Sequence, residues 1–130
     1  MGIRSVVIPD SVTHIGKKAF ANTQLEELVI PDSVVEIDRA AFSYSELRSV
    51  QLSNSLKELG FEVFCGSKLE EIVIPGSVDR IGEYAFACCK FLRKVVLPQN
   101  KILHIYGGGK TQPTPFYGCW KLDTIENNEA

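Results

Sequence analysis

The residues of this chain that could do chemistry include one short stretch, "IYGGGKTQPTPF", at residues 105–116. Its Gly-Lys-Thr at residues 109–111 matches the end of the phosphate-binding loop G-x-x-x-x-G-K-[ST], which holds nucleotide phosphates at the start of a helix. The first glycine of that motif would fall on His104, and Pro113 and Pro115 follow where the helix would begin. The stretch therefore predicts an insertion in a scaffold and not a nucleotide site.

Four cysteines form a second group that could do chemistry, as metal ligands or in disulfides; they are Cys65, Cys88, Cys89 and Cys119. Structural zinc sites use paired C-x₂₋₄-C spacings, whereas these cysteines offer one adjacent pair and two single residues. The spacing predicts no metal site, and nothing else in the sequence implies a cofactor.

Histidines and carboxylates are the third group. His14 and His104 fall in one outward column of the repeat described below, and Glu36 stands beside His14 in that column. The column offers neither a third ligand nor a pocket, and no nucleophile is paired with a base in a cleft. The sequence therefore predicts no catalytic residues and a protein that is not an enzyme.

Composition limits the remaining function classes. The chain has 130 residues, 45% hydrophobic and 23% charged, with a net charge of −2. These values fit one soluble domain and argue against nucleic-acid partners, whose recognition needs a basic stripe. The sequence lacks an apolar run of ~20 residues and a signal peptide. We therefore expect no membrane insertion and, for the chain as it stands, a cytoplasmic location; a segment of a longer adhesin would instead be secreted or at the cell surface.

An internal repeat predicts the fold, because units such as "LEELVIPDSVVEIDRAAFSYSE" recur with 22 or 23 residues along the chain. The predicted coils of this single domain, 1–130, are about 3–24, 25–46, 47–68, 69–91 and 92–121, with a partial sixth at 122–130 and an insertion at 106–115. Such units stack, because one coil cannot bury its apolar face alone.

Each column of the repeat has its own predicted place. Leucines open a short strand: Leu25, Leu47, Leu69, Leu92 and Leu122. Phenylalanines form an aromatic spine: Phe20, Phe42, Phe64, Phe86 and Phe116. Small residues pack in the turn that follows: Thr23, Ser45, Ser67, Cys89 and Cys119. The pattern predicts a repeat solenoid of the leucine-rich-repeat type, with a parallel β-sheet on the concave face and short helical or irregular turns on the convex side.

The string L-x-x-(I/V/L)-x-(I/L)-P-x-S-V-x-x-I-x-x-x-A-F-x-x-(C/S/T)-x-x-L is similar to the BspA-type leucine-rich repeat. The best-matching stretches are "LEELVIPDSVVEIDRAAF" at 25–42 and "LEEIVIPGSVDRIGEYAF" at 69–86, and the resemblance covers nearly the whole chain. It implies a binding scaffold that is not catalytic, with a role in adhesion or host-protein binding, as in the bacterial and protist surface proteins of this class.

Two surfaces are predicted to bind a partner protein. The first is the outward column of the concave sheet with its flanking charges: Val7, Val29, Gln51, Val73, Val96, Glu27, Glu71 and Lys94. The valines either form an apolar contact strip or reflect strand propensity alone. The second surface lies at the insertion and consists of Tyr106, Lys110, Tyr117 and Trp120. The alternative is that these four residues cover the end of the last coil and bind no partner. A further outward column, Arg4, Glu26, Arg48, Glu70, Arg93 and Asp123, alternates in sign and predicts ion pairs between coils.

The functional expectation is a protein–protein interaction module that uses the concave sheet, the insertion or both, as a fragment of a bacterial surface adhesin. The alternative is an intracellular inhibitor or adaptor that blocks another protein's functional surface. Residues 3–8 would begin the chain directly on a strand with no polar cap. An open strand edge recruits other chains, so we expect either self-association there or excision from a longer protein.

Overall fold

The repeat folds into stacked coils. The computed structural model describes residues 4–98, 104–105 and 114–127 of the chain. In these residues its strands are β1 (His14–Ile15), β2 (Glu27–Val29), β3 (Glu36–Ile37), β4 (Ser49–Gln51), β5 (Glu58–Leu59), β6 (Glu71–Val73), β7 (Arg80–Ile81), β8 (Lys94–Leu97), β9 (His104–Ile105) and β10 (Thr124–Asn127), with one 3₁₀ helix at Thr114–Phe116. The second to fifth coils therefore contribute two short strands each, and the stacking of the coils confirms the predicted solenoid.

The first side of the solenoid, sheet one, contains the longer strands. β2 pairs with β4, and β6, β8 and β10 pair in that order, all in parallel. The N–H of Glu70 donates to the carbonyl of Arg48 at 3.4 Å and links the two groups of strands. Side chains alternate as expected for a strand with one buried face: Leu28 is buried, whereas Glu27 and Val29 are exposed.

The second side, sheet two, consists of two-residue strands. β1 pairs with β3, and β5, β7 and β9 pair in that order, again in parallel. Ile15 and Ile37 point inward, and their partners His14 and Glu36 point into solvent. The sequence analysis did not predict that this side pairs as a sheet.

The third side is a stack of β-turns whose backbone bonds run from coil to coil. The N–H of Phe42 donates to Val63 at 2.9 Å, and that of Phe64 donates to Ala85 at 2.8 Å. Residues with positive φ recur at two columns of this turn side, including Lys18, Ala40, Glu62 and Tyr84 in one and Asn22, Tyr44, Gly66, Cys88 and Gly118 in the other. Each residue there that is not glycine costs about 1–2 kcal/mol, which the bonds between coils offset.

The predicted aromatic spine is confirmed. Successive rings from Phe20 to Phe116 lie 5.3, 5.4, 5.6 and 5.6 Å apart between centroids, with interplanar angles of at most 12°. The small residues of the following column pack beside the spine; Ser45, Ser67 and Cys89 are buried. Coils of the same sequence pattern thus place the same side chains above one another.

The fifth coil returns to the repeat after its longer sequence. Thr124 of β10 pairs with Lys94 of β8, and Phe116 stacks on Phe86. Residues 106–113 of the predicted insertion lie outside the described residues. In residues 114–127 the helical structure consists of the three-residue 3₁₀ helix, so the helix that a phosphate-binding loop needs is not found in that segment.

Both ends of the stack differ from the prediction. Residues 4–8 form no strand, and the exposed fraction of Val7 reaches 88%. The N–H of Glu26, the residue before β2, donates to the carbonyl of Arg4 at 3.0 Å. Ile125 of β10 is 56% exposed, although Val95 beside it in β8 is buried. The described part of the chain has no coil beyond either end to cover these residues, and self-association through the first edge stays a prediction.

Candidate functional site

The outward column of sheet one, together with Val7 of the first coil, is here called the valine strip: Val7, Val29, Gln51, Val73, Val96 and Glu126. Strand register places Val29 beside Gln51, and Val73 beside Val96. Val29 is 60% exposed and Val73 is 54% exposed, whereas Val96 is half-buried. The strip thus presents β-branched apolar side chains on the solvent-facing side of a sheet, where polar residues are the usual choice.

A groove of about 630 Å³ lies at the first-coil end of this strip. It is lined by Val7, Val29 and Gln51 of the strip and by Val50 and Pro31 beside them. Residues 5–8, which form no strand beside β2, line one side of the groove. It extends the apolar surface of the valine strip into a concave site.

Charged residues flank the strip, with their pairing concentrated near the later coils. Glu71 stands beside Lys94 in the register, and the Arg93 guanidinium contacts the Glu71 carboxylate at 2.5 Å. The ammonium of Lys94 lies 3.1 Å from the carboxylate of Glu126. Glu27 stands beside Ser49 instead, so the early part of the strip is bordered by an exposed carboxylate and a hydroxyl.

The alternating charge column stacks as predicted, but its ion pairs are not all in the column. The Arg4 guanidinium lies 3.8 Å from the Glu26 carboxylate, as expected for neighbours in the column. Arg93 instead reaches diagonally to Glu71 and not to Glu70. Side chains of arginine are long enough for diagonal partners, which column spacing alone does not reveal.

The second predicted surface is described in part. Tyr117 and Trp120 are exposed, with Trp120 at 74%, whereas Tyr106 and Lys110 lie outside the described residues. Tyr117 contacts the edge of Tyr84 with 6.4 Å between ring centroids. Trp120 and Tyr117 are residue types enriched at the centres of protein interfaces.

The structure adds an aromatic row on the turn side that the sequence analysis missed. Phe61 and Tyr84 meet edge to face at 6.0 Å, and Tyr117 continues the row on the next coil. Tyr44 is also exposed, and its ring occupies the space where a side chain at Gly66 would lie. For Phe61 the available signal was a bulky aromatic residue in a column that holds Lys17 and Arg39 in the first two coils.

The groups considered for chemistry are scattered. The His14 imidazole lies 3.1 Å from the Glu36 carboxylate on the exposed face of sheet two. Among residues 4–98, 104–105 and 114–127, no three His, Cys, Asp or Glu side chains are grouped to hold a metal ion. None of the helical structure in those ranges is long and apolar enough for a membrane span.

The thiols differ in environment. Burial raises the pKa of Cys65 to about 11, although a hydrogen bond with Tyr44 opposes that rise. Cys89 and Cys119 interact, and the hydrogen bond between them lowers the pKa of Cys119 and raises that of Cys89, which burial raises further. Cys65 and Cys89 are therefore protonated packing residues at neutral pH.

Comparison with a family model gives one match. The model described as "BspA type Leucine rich repeat region" matches residues 2–121 in 6 copies. No protein with a curated description matches the chain significantly.

Solved structures of other proteins share the fold. A leucine rich cell surface protein from Faecalibacterium prausnitzii A2-165 is 30% identical over 99% of this chain and 33% of its own, with a TM-score of 0.85. The pneumococcal vaccine antigen PcpA is 21% identical over 88% and 32% of the two chains, with a TM-score of 0.68. A leucine-rich repeat protein from Bacteroides ovatus ATCC 8483 is 22% identical over 96% and 43%, with a TM-score of 0.51. The chain thus spans less than half the length of each neighbour.

Proposed function

Because the chain belongs to the BspA-type leucine-rich repeat family, we propose that it is a non-catalytic protein-interaction module of a bacterial cell-surface protein that binds its partner through the valine strip. The observation that carries this proposal is the exposure of Val29 and Val73 at adjoining parts of one sheet. Gln51 lies between these two valines, and the groove joins Val29 to Val7 and Val50 in one apolar surface. Grouped apolar residues that face solvent mark interaction surfaces more often than isolated ones do.

The form of the strip supports a protein partner. Sheet one is held by backbone bonds between coils, so its outward side chains are presented on a rigid surface before binding. A preformed surface loses little conformational freedom when a partner docks. The groove of about 630 Å³ beside Val7 and Val29 gives that partner a recess for an apolar side chain.

The cell-surface location is supported by the printed description of the Faecalibacterium prausnitzii neighbour as a cell surface protein, at 30% identity. The chain corresponds to 33% of that protein, so the proposal concerns one segment of a longer adhesin. The turn-side aromatic row and Trp120 are the second surface that could complete such a contact.

The test compares two variants. Val29→Glu/Val73→Glu places carboxylates on the valine strip, and Val35→Glu places one on an exposed position beside sheet two. Both should keep the fold, because all three valines are exposed. Host extracellular-matrix proteins captured by the wild type would be identified by mass spectrometry and titrated in purified form. We expect at least about 10-fold weaker binding for the double variant and unchanged binding for Val35→Glu.

Other outcomes contradict specific parts of the proposal. Equal binding by the wild type and the double variant would remove the valine strip as the site and leave Tyr117 and Trp120 to be tested. A partner captured only from bacterial cytosol, and lost in the double variant, would favour an intracellular inhibitor or adaptor over an adhesin.

A further inference from the structure

We propose that Cys89 and Cys119 form an intramolecular disulfide that ties the fifth coil to the fourth when the protein meets a small-molecule disulfide such as oxidised glutathione. Both are free thiols in the structure, and both occupy the small-residue column beside the aromatic spine. The proposal concerns these two side chains and does not depend on which partner the protein binds.

One backbone carbonyl brings the two residues together. The carbonyl of Phe86 accepts the N–H of Cys89 at 3.2 Å. The same oxygen accepts the Sγ–H of Cys119 at 3.0 Å. The Cys119 sulfur and the backbone nitrogen of Cys89 are therefore held around one shared acceptor, although the two residues belong to successive coils.

The preceding coil shows how close two side chains of this column come. Cys89 donates to the carbonyl of Phe64 at 3.1 Å, as Cys119 does to Phe86. In that earlier pair, the Oγ of Ser67 lies 3.4 Å from the Sγ of Cys89. Adjacent coils stack at about 4.8 Å, inside the range of about 4.4–6.8 Å between the Cα atoms of a disulfide. A bond between Cys89 and Cys119 thus needs a small approach of two sulfur atoms and no rearrangement of the coils.

The two thiols are suited to different steps. Cys119 is half-buried and reachable, and its lowered pKa favours the thiolate that attacks a disulfide. Cys89 is buried and remains protonated until the second step.

The reaction balances without other reagents. The Cys119 thiolate attacks one sulfur of oxidised glutathione, forming a mixed disulfide and releasing one glutathione thiolate. Cys89 then gives its proton to solvent and attacks the Cys119 sulfur, releasing the second glutathione. Two protein thiols are oxidised by two electrons, and one glutathione disulfide is reduced to two thiols.

The other cysteines lack this arrangement and supply a control. In the next coil, the column of Cys65 holds Ala87, and the column of Cys88 holds Gly118. Cys65 instead faces the hydroxyl of Tyr44 at 3.9 Å. The stacking that brings Cys89 to Cys119 therefore gives neither remaining cysteine a thiol in the coil that follows it.

The disulfide would link the fourth and fifth coils beside Tyr117 and Trp120, the described residues of the second predicted surface. Tyr117 and Trp120 flank Cys119, and Tyr117 contacts Tyr84 of the fourth coil. The disulfide closes a loop that contains residues 106–115, so it removes freedom from the unfolded chain. We expect oxidation to raise the midpoint of thermal unfolding by about 5 °C or more.

The test treats the reduced protein with oxidised glutathione and maps thiols by mass spectrometry of peptides. We expect loss of two hydrogen masses, a linked peptide pair containing Cys89 and Cys119, and the rise in the unfolding midpoint. Cys65→Ser/Cys88→Ser should behave as the wild type. In Cys89→Ser the reaction should stop at the mixed disulfide between glutathione and Cys119. This variant should fold, because Ser45 and Ser67 are buried in the same column.

Three results would overturn the proposal. One is a wild type that keeps glutathione on Cys119 with Cys89 reduced. Another is a native protein, folded by circular dichroism, whose four thiols all persist. The last is a linked pair that includes Cys65 or Cys88.

Discussion

The first and second coils carry almost the same motif but differ in structure. "VVIPDSV" at residues 6–12 and "LVIPDSV" at 28–34 differ at one position. In the second coil, Leu28 is buried in β2, whereas residues 4–8 form no strand and Val6 is 36% exposed. The second coil has neighbours on both sides in the described chain, and the first has a neighbour on one. Strand formation and burial in this solenoid therefore depend on stacking as much as on the motif.

The largest test of this comparison is in the aromatic spine. Phe64 is fully buried between two rings, and Phe20 is half-buried against one. Phe64→Ala should lower the free energy of unfolding by about 3–5 kcal/mol, because it removes a ring from a closed core. Phe20→Ala should lower it by about 1.5–2.5 kcal/mol. Urea unfolding followed by circular dichroism measures both, and equal losses would refute the dependence on stacking.

Sequence periodicity was sufficient for the features that repeat in every coil. The spine from Phe20 to Phe116, the inward leucines and the outward valines follow from columns of side chains, and the structure confirms their places. Sheet two was missed because two residues per coil are too short for alternation to identify a strand.

The turn side and the binding residues were harder to predict. Tyr44 and Cys88 adopt positive φ, although glycine or asparagine is expected there. Bonds between coils impose that backbone on them, and the signal available in the sequence was Asn22, Gly66 and Gly118 at the same column. The same limit applies to the row of Phe61, Tyr84 and Tyr117, whose contacts arise only when the coils stack.

A smaller effect is expected at the column of Gly16, Gly60 and Gly82, where the fourth coil is crowded and the first coil is open. A Cβ atom at Gly82 would lie 3.1 Å from the backbone of both Gly60 and Leu59. Gly82→Ala should therefore destabilise the protein by about 1–3 kcal/mol. At Gly16 a Cβ atom would meet nothing within 4 Å, so Gly16→Ala should be neutral or stabilise by up to about 1 kcal/mol.

The urea unfolding midpoints of Gly16→Ala and Gly82→Ala distinguish two effects of the new methyl group, namely steric contact with a neighbouring coil and reduced backbone freedom of the unfolded chain. Both substitutions remove the same freedom from the unfolded chain, so the difference between them reports the packing of neighbouring coils. A loss at Gly16→Ala as large as that at Gly82→Ala would mean that backbone conformation, and not stacking, selects glycine at this column.

The smallest expected effect is the alkaline dependence of stability, which has opposite signs in a central coil and in the last coil. Burial raises the pKa of Cys65 from 9.0 to about 11, so its contribution is complete below pH 9 and is lost as pH rises to 11. The pKa of Cys119 is lowered, so its ionised form favours the folded state above its unfolded pKa. Between pH 8 and pH 11 in a reducing buffer, Cys65→Ala should lose less stability than the wild type, and Cys119→Ser should lose more. If the free energy of unfolding depends on pH in the same way in all three proteins, both predictions are wrong.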